Sequence, residues 1–139
     1  MSEIYLDNNA TTKVDEEVLS AMTPFFTEHY GNAGSSHLKG QVSARALFES
    51  RNTILKELGA NAHKIIFTSG GTESNNLSIF GIAHHQKEKG NHIITSSIEH
   101  SSVLECMKAL SKWGFEISYI DPRTDGVIHV DDVVSVLRS

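Results

Sequence analysis

Lys64-Ile65-Ile66-Phe67-Thr68-Ser69-Gly70-Gly71-Thr72-Glu73-Ser74-Asn75-Asn76 holds three short signals side by side. Residues 64–69 form an apolar, β-branched and aromatic run of strand length. Gly70 and Gly71 break it, and Thr72-Glu73 opens a helix-favouring stretch that continues to about Glu88. Strand, glycine turn and helix start in that order make a concave nest of backbone N–H groups at the positive end of a helix dipole. Such a nest suits a phosphate. A plain tight turn fits the same residues, so both readings stand at this point.

Downstream, Leu77, Ile79, Phe80, Ile82 and Ala83 cover much of a helix circumference, which predicts a helix covered on more than one side. Gly90-Asn91 ends it. Residues 92–96 read as a second strand and 97–100 as a turn. Ser101 or Ser102 is the expected cap of a helix over 103–113, which Gly114 stops. Residues 115–120 read as a third strand, 121–126 as a turn, and Asp131 or Asp132 as the start of a last helix reaching 139. This alternation predicts an α/β fold with a mostly parallel sheet and flanking helices. Ligands of open parallel sheets sit beyond the carboxyl ends of the strands, so the turns at 70–72 and 98–100 are expected on one side. Three strands leave two open edges, and no strand follows the last helix. The chain reads as incomplete at its C-terminal end.

Upstream, residues 4–6 are extended and 7–12 form a polar loop. Asp15 is placed to cap a short helix whose Val18, Leu19, Met22, Phe25 and Phe26 should face a core, with Pro24 ending or kinking it. Residues 30–36 form the most loop-like stretch. The longest helical pattern runs over 37–58, with Leu38, Val42, Leu47, Phe48, Ile54, Leu55 and Leu58 as its apolar stripe and Gly59 as its stop. The expected organisation is an N-terminal arm, short helix and loop over 1–36, then the first part of an α/β domain over 37–139.

The chain of 139 residues is 39% hydrophobic and 21% charged with a net charge of −5, so no basic footprint points to nucleic acid. No apolar run is long enough to span a bilayer, and no signal-peptide pattern opens the sequence. Cys106 is the single cysteine, which fits a reducing cytoplasm, and the eight histidines show no Cys/His ligand spacing for zinc.

Four motifs carry a resemblance. They are residues 5–12 (Tyr-Leu-Asp-Asn-Asn-Ala-Thr-Thr), residues 30–37 with Gly40, residues 68–76, and Glu99-His100. In this order and spacing the sequence resembles the NifS/IscS-type cysteine desulfurases, class V, fold-type I pyridoxal-phosphate enzymes. The likeness runs from Ile4 to the end. It implies the N-terminal part of a fold-type I large domain and a reaction turning L-cysteine into L-alanine plus persulfide sulfur. That sulfur would pass to an acceptor or scaffold protein for iron–sulfur cluster assembly or thiolation. It also implies a homodimer, and pyridoxal 5'-phosphate as cofactor. By the resemblance, Gly71 and Thr72 hold the cofactor phosphate. His100 lies over the pyridine ring and is the candidate for proton transfer; the alternative for His100 is a cap on the next helix.

Two departures stand out. Ala33-Gly34 replaces the middle of the family's usual Gly-Asn-Pro-Ser-Ser, and Gly71 stands where Ala or Cys is more usual. The family's cofactor-bonding lysine, its aspartate partner for the pyridine nitrogen and its catalytic cysteine match no position in these 139 residues. Lys64 fits no such motif, and Cys106 lies in an amphipathic helix. The expectation is a cysteine desulfurase fragment, inactive alone. The same motifs are shared by a related lyase or aminotransferase such as selenocysteine lyase, and the nest alone fits a non-catalytic phosphate-binding module.

Overall fold

The computed structural model describes residues 4–60 and 64–138. In chain order its elements are α1 (Glu16–Met22), α2 (Pro24–Thr27), α3 (Leu38–Glu57), α4 (Gly71–Gln86), β1 (His92–Ser96), α5 (Ser101–Lys112), β2 (Glu116–Ile120) and α6 (Val130–Ser135). They fall into two units, Met1–Ile65 and Ile66–Ser139.

The second unit is built around α5. Val103, Cys106, Met107 and Leu110 recur every three or four residues and so line one face of the helix. Cys106, Met107 and Leu110 are buried, and Ala83 of α4 and Phe115 complete the cluster. Ile79 and Phe80 pack on it from α4, and Ile93 and Ile117 from the strands. β1 and β2 pair in parallel from His92 opposite Glu116 to Ser96 opposite Ile120, with α5 as the crossover. Gly114 ends α5 at φ 87°, where its N–H reaches Ser111 O while that of Phe115 returns to Leu110 O. Only a residue without a Cβ enters that left-handed turn cheaply, which is why the chain reverses there into β2.

The α/β alternation and the parallel pairing are as expected, with corrections. Residues 64–68 carry no ladder, so the described sheet has two strands, not three. β-branched composition favours extension, but a strand exists only where a neighbour takes up its N–H and C=O groups. Leu77 and Ile82 of α4 are exposed, so that helix is packed on one side only. The last helix is six residues long and starts at Val130, after His129, instead of running to 139.

In the first unit Asp15 caps α1, its carboxylate accepting from Glu17 N at 2.8 Å. Pro24 does more than stop that helix: it occupies the first turn of α2, where a missing N–H costs nothing. The expected inward stripes of α1–α3 are not buried. Phe26, Leu38 and Leu58 are 72%, 80% and 71% exposed, and the one buried residue of these helices is Gly40. Periodicity identifies the face that seeks an apolar partner. It does not supply the partner.

Candidate functional site

The glycine turn leads into α4 with its first-turn donors unspent. Gly70 is the N-cap and offers no side chain. The helix ladder begins with Ser74 N–H donating to Gly70 O at 3.1 Å, which leaves Gly71, Thr72 and Glu73 N–H without an acceptor in the helix. The Thr72 hydroxyl has no partner among the described residues. A Cβ built on Gly70 or Gly71 meets nothing within 4 Å. Backbone amides, a hydroxyl and free space therefore face outward together.

The turn itself is held from behind. Thr68 Oγ1 donates to Gly70 O at 3.2 Å, which leaves Ser74 Oγ to donate to Thr68 Oγ1 at 2.7 Å. Glu73 folds back so that its carboxylate accepts from Ser69 N and Ser69 Oγ, both at 2.6 Å. The Ser69 hydroxyl, then the Ser69 N–H, hold that carboxyl below its ordinary value. Glu73 is thereby engaged away from the free amides. This donor set fits a phosphate dianion: neutral N–H groups, one hydroxyl, the positive dipole end, and a nearby carboxylate already satisfied.

The second turn arrives beside the first. His100 follows β1 and is the N-cap of α5, with Ser102 N donating to its Nδ1 at 3.1 Å. This corrects the expectation that Ser101 or Ser102 caps the helix. Imidazole Nδ1 can reach a first-turn amide as an Asp carboxylate oxygen does; His37 likewise caps α3, accepting from Gly40 N at 3.3 Å. Capping uses Nδ1 only, so it is compatible with a further role for Nε2. Ser102 is buried, and its Oγ accepts from Asn75 Nδ2 at 2.8 Å. Asn75 lies one turn into α4, so the start of α4 and the start of α5 are tied at the same end of the sheet, as the strand pattern predicts. Neither Asn75 nor Ser102 was legible as a site residue. The signal available was a polar side chain on the inner face of each helix start.

Cys106 is buried, donates to Ser102 O at 3.0 Å and has its thiol pushed up by burial. It is structural, as its helix position predicts. A cavity of about 930 Å³ in this unit is lined by apolar side chains such as Ile79, Ile93, Val103 and Met107, and includes neither Thr72 nor His100. The candidate site residues lie at the helix starts, outside that cavity.

The aminotransferase class-V family pattern matches residues 4–139. The chain is 48% identical over 136 residues to a cysteine desulfurase IscS of Dictyoglomus turgidum, covering 98% of this chain and 34% of that protein. It is 44% identical over 138 residues to a putative cysteine desulfurase IscS 1 of Bacillus subtilis, covering 99% and 36%. Among solved structures it is similar to a NifS-like protein, with TM-score 0.87 and 38% identity over 94% of this chain and 36% of that one. It is also similar to SspA in complex with cysteine, with TM-score 0.84 and 36% identity over 93% and 37%. The chain thus spans 34% to 36% of the length of these curated relatives.

Proposed function

The chain belongs to the aminotransferase class-V family, and from that premise we propose that it forms the phosphate-anchoring and ring-stacking part of a pyridoxal 5'-phosphate site in a cysteine desulfurase. The observation that carries this is the first turn of α4, with three amides lacking a helical acceptor, a free threonine hydroxyl and open space over both glycines. Gly71 N–H, Thr72 N–H and the Thr72 hydroxyl hold the phosphate, and the helix dipole adds to the attraction. His100 would lie with its flat ring over the pyridine, and Nε2, the nitrogen outside its capping bond, would be its candidate for proton transfer. When bound, the cofactor supplies the electron sink that lets the C–S bond of cysteine break. Lys64 and the buried Cys106 take no part.

The substrate in this proposal is L-cysteine and the products are L-alanine and sulfur passed as a persulfide to a protein acceptor, for iron–sulfur cluster assembly or thiolation. The desulfurase names of the curated relatives and the cysteine held by SspA support this reading. By this reading the working form is a homodimer in the cytoplasm. Separately, no described helix is long and apolar enough to cross a membrane.

The test compares pyridoxal phosphate with pyridoxal, which lacks the phosphate, binding to the full chain. Thr72→Val deletes a charge-assisted hydrogen bond of about 1.5–3 kcal/mol, so pyridoxal phosphate should bind at least about tenfold more weakly. Pyridoxal affinity should not change. Equal affinity of wild type and variant for pyridoxal phosphate would remove the phosphate role. This chain alone should show no turnover, because the family's lysine and catalytic cysteine match none of its positions. With a partner chain supplying them, alanine and transferable sulfur should appear in equal amounts from L-cysteine, and preference for selenocysteine would shift the reading to a lyase.

A further inference from the structure

The tie between α4 and α5 has a chemical consequence for His100. Ser102 N–H donates to Nδ1 at 3.1 Å, and Ser102 Oγ lies 2.9 Å from the same nitrogen. Because a backbone N–H can only donate, Nδ1 must be an acceptor, and a neutral ring then carries its proton on Nε2. The Ser102 hydroxyl is free to donate in the same direction because its oxygen is already engaged by Asn75 Nδ2 at 2.8 Å. The Asn75 atom at this contact is Nδ2, a donor, so the chain of bonds runs from Asn75 to Ser102 to His100. Ser102 is 7% exposed and Asn75 half-buried, so bulk water does not scramble that direction.

We propose that Asn75 is a positioning residue for His100, acting through Ser102: it directs the serine hydroxyl at Nδ1 and holds the neutral imidazole as its Nε2–H tautomer. His100 then presents an N–H, not a lone pair, on the side away from α5. In that neutral form Nε2 offers a hydrogen bond to a ligand and has no lone pair with which to take a proton. The catalytic consequence rests on the proposed role of His100. The tautomer does not, because it follows from the Ser102 N–H and the three side chains with no cofactor bound.

The test is long-range ¹H–¹⁵N correlation spectroscopy of the histidine rings in the full chain, without cofactor, at a pH where His100 is neutral. The wild-type ring should show the Nε2–H pattern alone. Asn75→Asp keeps the shape but replaces the donor by an acceptor, which draws the Ser102 hydroxyl proton away from His100. An Oγ lone pair then faces Nδ1, and the share of ring protonated at Nδ1 should rise at least about fivefold, the effect of reversing one ordinary hydrogen bond. A wild-type ring that is Nδ1–H or an even mixture overturns the proposal, and needs no variant to fold. An Asn75→Asp ring identical to wild type also overturns it, reducing Asn75 to a structural tie. If the tautomer is as stated but pyridoxal phosphate and pyridoxal bind alike, the positioning stands and the cofactor reading fails.

Discussion

Two glycine-bearing segments look alike in the sequence and are opposites in the structure. Around Gly31 and Gly40, the glycines are required by the chain's own packing. A Cβ on Gly40 would lie 2.6 Å from Asn32 O, and one on Gly31 would lie 2.5 Å from the Lys39 carbonyl carbon and 2.9 Å from Gly40 N. The loop is pressed onto the first turn of α3, backbone against backbone. At Gly70 and Gly71 a Cβ meets nothing within 4 Å, and the amides behind them are unspent. The first pair of glycines closes a structure, and the second leaves one open. A glycine thus says little alone; what its missing Cβ would have touched says whether the chain or a ligand uses the space.

Substitution at the closed segment should give the largest effect. Gly40→Ala forces backbone atoms apart and should destabilise the full chain by about 1–3 kcal/mol in urea unfolding, after any gain in helix propensity. Gly31→Ala should behave likewise. If Gly40→Ala leaves stability unchanged, the contrast between the two segments collapses. Next comes the tenfold loss of pyridoxal phosphate affinity in Thr72→Val, which sharpens the contrast by showing what the open segment is for. Gly71→Ala should be nearly silent. Its φ and surroundings admit a methyl group, so stability should stay within about 0.5 kcal/mol and rise if it moves at all.

The smallest effect is a pH dependence. The Ser69 donors depress the Glu73 carboxyl, so this tie contributes above the ordinary value of 4.5 and is lost as pH falls through the lower folded-state value. The Ser69 amide resonance should follow a single titration with a midpoint below 4.5. A midpoint at or above that value would mean that Glu73 does not brace the turn.

The helices and the parallel strand pair were legible because local patterns determine them. Asp15, the 3.6-residue repeat of α5 and Gly114 each act through neighbours in sequence. What was not legible depends on residues far apart. Residues 64–68 have strand composition without a ladder, and the stripe of α3 has no covering layer among the described residues of its unit. The open glycine turn at the start of α4 could be read from Gly70-Gly71-Thr72 itself. The bond from Asn75 to Ser102 spans 27 positions and has no sequence period to announce it. His100 was singled out by its motif, and the structure shows it in the alternative expected for it, as the cap of α5 through Nδ1.

The central claim is that the first turn of α4 binds a phosphate group through its backbone. Titrating the ¹⁵N-labelled full chain with pyridoxal phosphate, and in parallel with pyridoxal, tests it most directly. The expected result is that the Gly71, Thr72 and Glu73 amide resonances move most, with pyridoxal phosphate only. Equal shifts with both ligands, or shifts that spare these three amides, would contradict it.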